Sequence, residues 1–113
     1  MEVNQNFTTQ RGAHRQLRYT VANGAGAVDA EWYCAAGRNS PACLLVKTKT
    51  AGEVTLTDAG TELLVDVELT GADIETLPVG ALHCEVWTNK SGKFAPRAEG
   101  VMLVKDSLRA EGS

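Results

Sequence analysis

Polar and apolar residues alternate with a period of two over much of the chain, the pattern of strands buried on one face. In Leu17-Arg18-Tyr19-Thr20-Val21 the residues at 17, 19 and 21 share one side, and the polar residues between them face the other. Asn23-Gly24-Ala25-Gly26 reads as a turn, because glycine takes positive φ without steric cost. Residues 30–36 resume an extended run, with Trp32 and Cys34 on one side and Glu31 and Tyr33 on the other. Gly37-Arg38-Asn39-Ser40-Pro41 breaks that run, since proline lacks the donor a central ladder requires. A further strand is predicted over residues 43–50, where Leu44, Val46 and Thr48 alternate with Leu45, Lys47 and Lys49.

The second half repeats the pattern. Val54-Thr55-Leu56 is a short strand closed by Asp58-Ala59-Gly60. Residues 61–69 alternate most cleanly: Leu63, Val65, Val67 and Leu69 point inward and Glu62, Asp66 and Glu68 to water, with Leu64 interrupting the polar side. Thr70-Gly71-Ala72-Asp73 opens one helical turn with capping-box spacing, and Pro78 prevents it from becoming long. Residues 81–88 form a strand with Leu82, Cys84 and Val86 inward and His83, Glu85 and Trp87 outward. Asn89-Lys90-Ser91-Gly92 turns the chain, Lys93-Phe94-Ala95 pairs back before Pro96, and Val101-Met102-Leu103-Val104 closes the fold. Short strands at hairpin spacing, with no room for crossover helices, predict an all-β fold: an antiparallel β-sandwich of about seven strands with one short helical turn.

Composition narrows the function classes. The chain has 113 residues, 43% of them hydrophobic and 22% charged, enough for one globular domain with its own core. Its formal charge of −3 supplies no broad positive field for phosphates, so nucleic acid is not expected as a partner. No apolar run approaches the roughly 20 residues a membrane-spanning helix needs, and Met1-Glu2-Val3-Asn4-Gln5-Asn6 has no basic-then-apolar signal pattern. The expected organisation is an arm or edge strand over residues 1–10, a sandwich over 11–105 and a flexible tail over 106–113.

The side chains give little sign of catalysis. Cys34, Cys43 and Cys84 include no Cys-x-x-Cys pair, and His14 and His83 lack finger-like spacing from them, so no metal site is expected. Three arrangements of these thiols remain open: buried and free, a Cys34–Cys43 bridge across a short loop, or a bond between chains. His83 and Cys84 are neighbours on a strand and therefore face opposite ways, which excludes them as a nucleophile–base pair. The carboxylates lie on polar strand faces, and the glycines form neither a phosphate loop nor a dinucleotide fingerprint. The expectation is a protein that is not an enzyme and carries no cofactor.

Candidate contact residues are those that break the alternation. Trp87 and His83 fall on the outward side of one strand, Tyr33 on that of another, and Leu64 among acidic neighbours. Outward aromatic rings are enriched at interfaces, because a rigid ring buries much area at small entropic cost. A one-residue register slip or a bulge would exchange the two faces, and cover by a loop of the same chain is a third arrangement. Arg15 and Arg18, with Arg11 and His14 nearby, form a basic stretch suited to an acidic partner or to plain solvation.

The order of these features resembles a known family. A strand beginning near Gly12 leads through a glycine turn to Val28-Asp29 and a second strand. Gly52-Glu53-Val54-Thr55-Leu56-Thr57-Asp58-Ala59-Gly60-Thr61 and Leu69-Thr70-Gly71-Ala72-Asp73-Ile74-Glu75-Thr76-Leu77-Pro78-Val79-Gly80 follow, then Glu85-Val86-Trp87, Ser91-Gly92 and Glu99-Gly100-Val101-Met102-Leu103-Val104. Across residues 11–105 this looks like the small immunoglobulin-like β-sandwich domains of tailed-bacteriophage virion proteins, of head-decoration, baseplate or tail-fibre type. The chain departs from that pattern at Ala81-Leu82, where such domains often carry a tyrosine after the glycine, and in its cysteines. The resemblance implies a virion protein made in the bacterial host cytoplasm, present in many copies, and bound to neighbouring capsid or tail proteins without cofactor, nucleic acid or membrane. Capsid decoration is the leading expectation. A baseplate, neck or tail-fibre attachment module is one alternative, and a carbohydrate- or host-surface-binding module using Trp87 and Tyr33 is another.

Overall fold

In the computed structural model residues 3–37 and 42–106 are described. Nine strands and one helical turn follow in the order β1 (Val3–Asn4), β2 (Phe7–Gln10), β3 (Arg15–Val21), β4 (Asp29–Ala35), β5 (Leu45–Thr48), β6 (Val54–Ala59), β7 (Glu62–Leu69), α1 (Gly71–Glu75), β8 (Gly80–Lys90) and β9 (Lys93–Lys105). They form two sheets. The larger runs β1-β9-β8-β4-β5, with β2 also on β9, and the smaller runs β3-β7-β6. All pairings are antiparallel except those of β1 and β2 with β9. This is the strand arrangement of an immunoglobulin-like sandwich with an added strand beside the central pair of its larger sheet.

The core follows from the alternation. Leu17, Tyr19, Val21, Leu63, Val65, Val67 and Leu69 come from the smaller sheet, and Trp32, Cys34, Leu82, Cys84, Val86, Met102 and Val104 from the larger; all are buried. Within the core a polar contact joins the two layers: Trp32 Nε1 donates to the Tyr19 hydroxyl at 3.0 Å. Immunoglobulin domains often join their sheets with a disulfide against a buried tryptophan. Here Tyr19 stands on β3, with its hydroxyl against both Trp32 and Cys84. At the end of β7, Thr70 caps α1 with both halves of a capping box in place, and Ile74 and Leu77 are buried beneath it.

Among the described residues the expected sandwich holds seven strands, β3–β9, and the N-terminal arm adds β1 and β2 along β9. Three other expectations need correction. The return strand does not stop at Pro96: β9 runs through it, and the register shifts between Val86 and Trp87, so that Trp87 opposes Pro96 while Val86 opposes Ala98. The extra residue, Arg97, makes a bulge, and Pro96 precedes Ala98, the first residue of β9 paired with β1, so among the described residues no strand on that side asks for its missing N–H. Asp66 does not point to water; it is only 7% exposed, held by Arg18 Nε at 2.7 Å and Nη2 at 3.0 Å. The strand expected over residues 43–50 is the four-residue β5, with Leu44 and Val46 exposed and Lys47 only 6% exposed.

Lys47 is tolerated inside because its stem lies beside its cross-strand neighbour Trp32, while Nζ meets Asp73 at 2.8 Å and Glu53 at 2.9 Å. Burial opposes the charge, but hydrogen bonds to Asp73 and Glu53 outweigh it and raise the Lys47 pKa. This triad ties the edge strand of the larger sheet to α1 and to the approach to β6. The break expected over residues 37–41 is described only at Gly37, and all but the first residue of the expected tail lies outside the described residues.

Candidate functional site: the outer face of the larger sheet

Because Leu82, Cys84 and Val86 are anchored in the core, β8 must turn His83, Glu85 and Trp87 outward. The same parity on β4 turns out Glu31, Tyr33 and Ala35. Register then sets Tyr33 opposite Glu85, Glu31 opposite Trp87 and Ala35 opposite His83. Between these strands lies a cleft of about 330 Å³ lined by Tyr33, Ala35, Gly37, Cys43, His83, Glu85 and Trp87.

Glu85 is the electrostatic centre of the cleft. Its Oε1 accepts from Trp87 Nε1 at 2.9 Å, and its Oε2 lies 2.8 Å from His83 Nε2. Glu99 on β9, directly opposite Glu85, brings a second carboxylate to 3.8 Å from the same His83 nitrogen. Tyr33 donates its hydroxyl to Glu31, and that hydrogen bond, followed by burial, pushes the phenol pKa up to about 12. Both large side chains are therefore held in fixed orientations by carboxylates on their own strands.

Apolar residues continue the surface. Val46 stands beside Tyr33 on β5 and Val101 beside His83 on β9, and both are exposed, as are Leu44, Leu103 and Phe94. Oriented rings, a satisfied polar centre and an exposed apolar margin make a surface suited to receiving a side chain from a partner.

The residues singled out in the sequence fall on two different faces. Trp87, Tyr33 and His83 come together in the cleft, and their outward register holds. Leu64 and Arg18 instead lie on the outer side of the smaller sheet, where Arg18 is committed to Asp66. The Arg15 guanidinium lies 5.8 Å from the centre of the Phe7 ring, His14 faces Glu68 at 3.4 Å, and Arg11 Nη2 donates to the Glu75 carbonyl at 3.3 Å. The basic stretch is thus engaged with its own chain. The Cys34–Cys43 bridge is absent, and both thiols are free: strand parity sends Cys34 inward against Cys84, while Cys43 is exposed in the lining of the outer cleft. Sequence reading missed Cys43 as a cleft residue, because its position depends on the path of the chain between β4 and β5.

No family profile matches the sequence, and no curated protein matches it. Among solved structures, similarity is found to the NK cell receptor Nkp44, with a TM-score of 0.45 and 14% identity, covering 90% of this chain and 98% of that one. Tim-2 gives 0.45 and 16%, covering 96% and 98%. An extracellular fragment of novel immune-type receptor 11 from Ictalurus punctatus gives 0.46 and 11%, covering 100% and 93%. The assignment as an all-β immunoglobulin-like sandwich rests on the chain's own strand order and core.

Proposed function

We propose that this chain is a non-enzymatic binding domain that docks on a protein partner through the outer face of its larger sheet, with Trp87, Tyr33 and His83 around the anchoring cleft. The observation that carries this reading is the coincidence, on one face, of two oriented aromatic rings and a margin of exposed Val46, Val101 and Leu103. The partner we propose is a neighbouring subunit of a bacteriophage particle, with this chain decorating the capsid. The order of turns and alternation along residues 11–105 supports that address. A baseplate, neck or tail-fibre position uses the same surface at lower copy number.

Densitometry of purified particles tests the address: on the order of hundreds of copies supports decoration and about a dozen supports the tail, as the symmetry of such assemblies requires. Absence from the particle overturns both. Trp87→Ala tests the surface itself. Loss of an interface anchor typically costs about 2 kcal/mol or more, so binding to the particle should weaken at least roughly tenfold while the melting temperature moves little. Parallel loss of folding and binding would count against the cleft as the contact. Because rings beside a carboxylate also suit a sugar, a glycan array that lights up with the native chain and goes dark with Trp87→Ala would favour the carbohydrate reading instead.

A further inference from the structure

The core holds a pair of thiols that the binding reading does not use. Cys34 on β4 and Cys84 on β8 are direct cross-strand partners, both on the inward face, 0% and 1% exposed, and both free. Backbone direction fixes what kind of partners they are. The Cys34 carbonyl accepts from Leu44 N at 2.7 Å and the Ala30 carbonyl from Lys49 N at 3.2 Å, so these residues of β4 turn their backbone groups toward β5 and away from β8. Cys34 and Cys84 therefore face each other as a non-hydrogen-bonded pair, the closer of the two antiparallel kinds, with Cα atoms typically about 4.5 Å apart. Disulfides bridge Cα separations of about 4.4–6.8 Å, so the register presents these two thiols within bonding range.

The surroundings distinguish the two sulfurs. Cys84 donates to Cys34, which holds the Cys34 pKa below the ordinary thiol value; the same contact, with burial, pushes Cys84 up. Cys34 is thus the better nucleophile of the two and Cys84 the sulfur that follows. Cys43 is not a competitor for this bond in the folded chain, since it lines the cleft on the opposite face of the sheet.

We propose that Cys34 and Cys84 are a redox pair, which a small-molecule disulfide such as oxidised glutathione converts into an intramolecular bridge between β4 and β8 directly beneath the binding cleft. The Cys34 thiolate attacks one sulfur of the small disulfide, breaking its S–S bond, forming a mixed disulfide and releasing one small thiol. The Cys84 thiolate then attacks the Cys34 sulfur and expels the second small thiol. The chain loses two electrons and two protons, and the small disulfide gains both as two thiols. Because both sulfurs are buried, exchange proceeds during folding or through transient opening of the β4–β8 pair. Once formed, the bridge closes the long loop between the two strands and raises the melting temperature by on the order of 10 °C.

The test uses the Cys43→Ser chain, which removes the exposed thiol without touching the core. It is refolded from denaturant in glutathione buffers of increasing oxidised fraction, acid-quenched and unfolded for thiol titration and intact-mass measurement. The expected result is loss of both remaining thiols, a mass decrease of two hydrogens, a peptide joining residues 34 and 84, and a higher melting temperature that dithiothreitol reverses. Two free thiols in the refolded chain at the most oxidising ratio, glutathione adducts without a bridge, or chains linked to one another would each overturn the proposal. So would a bridge that lowers the melting temperature. The wild-type chain should keep one titratable thiol; a wild-type bridge mapped to Cys34 and Cys43 also counts against it.

Discussion

Trp32 carries a buried N–H that must find an acceptor, and the Tyr19 hydroxyl across the sandwich is the acceptor it finds, at 3.0 Å. Burial pushes the Tyr19 phenol pKa far upward, so this hydroxyl stays protonated at any working pH. Tyr19→Phe keeps the ring and removes the acceptor. The expected loss is about 1–2 kcal/mol of unfolding free energy, measured by urea denaturation, because the indole N–H is left desolvated and unpaired. A change below a few tenths would show that the indole finds another partner. Asp73 serves two donors at once, Thr70 N at 2.9 Å and Lys47 Nζ at 2.8 Å. Burial works against its charge, but the Lys47 and Thr70 contacts prevail and lower its pKa from 3.8. With the folded pKa below the unfolded one, its contribution is complete above the ordinary carboxylate range and is lost as pH falls through the lowered value. The stability gap between the native chain and Asp73→Asn, about 1–2 kcal/mol at neutral pH, should therefore hold down to about pH 5 and narrow below about pH 4. A gap that widens in acid would contradict this linkage.

Among the elements, β9 shows how one residue resets a face. The bulge at Arg97 lets Trp87 oppose Pro96 without disturbing the pairing of Val86 with Ala98. Without the insertion, residues 93–96 would change sides relative to β8. The hairpin that precedes it closes in two residues, Ser91 and Gly92, both with positive φ, the conformation whose twist matches that of the flanking strands. Ser91 stands where an asparagine or glycine is preferred, so Ser91→Asn should stabilise the hairpin by a few tenths of a kcal/mol, read as a slightly higher urea midpoint. No gain would mean that the serine already relieves the strain of its left-handed backbone. At the opposite edge of the larger sheet, β5 is short and carries Lys47 inward, two features that keep an open edge from pairing with other chains.

For the molecule as a whole, the N-terminal segment is the clasp between sheets. β1 and β2 lie parallel to β9, and at the kink between them the Gln5 side chain pairs with the backbone of β3, accepting from Thr20 N and donating to Thr20 O, each at 3.0 Å. The approach is close because residue 100 is glycine: a Cβ there would sit 1.8 Å from the Gln5 carbonyl oxygen. Gly100→Ala should displace the clasp, lower stability by about 3 kcal/mol and raise amide exchange over residues 5–10 more than in β7. Unchanged exchange in that segment would show that β9 can move aside without cost. The clasp lies at the edge formed by β1 and β2 and the Lys47 triad at the β5 edge, so the outer face between them is braced from both sides.

The alternation alone determined the inward sets of β3, β4, β7 and β8 and the outward positions of Trp87, Tyr33 and His83, because a strand's side-chain period is fixed by backbone geometry. The capping box at Thr70 and Asp73 and the turn at Ser91-Gly92 were legible for the same reason, since their chemistry is complete within a few residues. What the sequence left open were contacts between residues far apart in the chain. Asp66 reads as solvent-facing until Arg18 covers it from β3, and the side that Lys47 takes is unassigned until Asp73 and Glu53 arrive from elsewhere to hold it. The sequence leaves Cys34 free, bridged to nearby Cys43 or bonded between chains, and does not point to Cys84 beside it, because proximity along the chain says nothing about which strand lies alongside. Only the tertiary structure decided those pairings. A buried charge or thiol takes its character from neighbours that strand order brings to it, and strand order is a property of the whole sandwich.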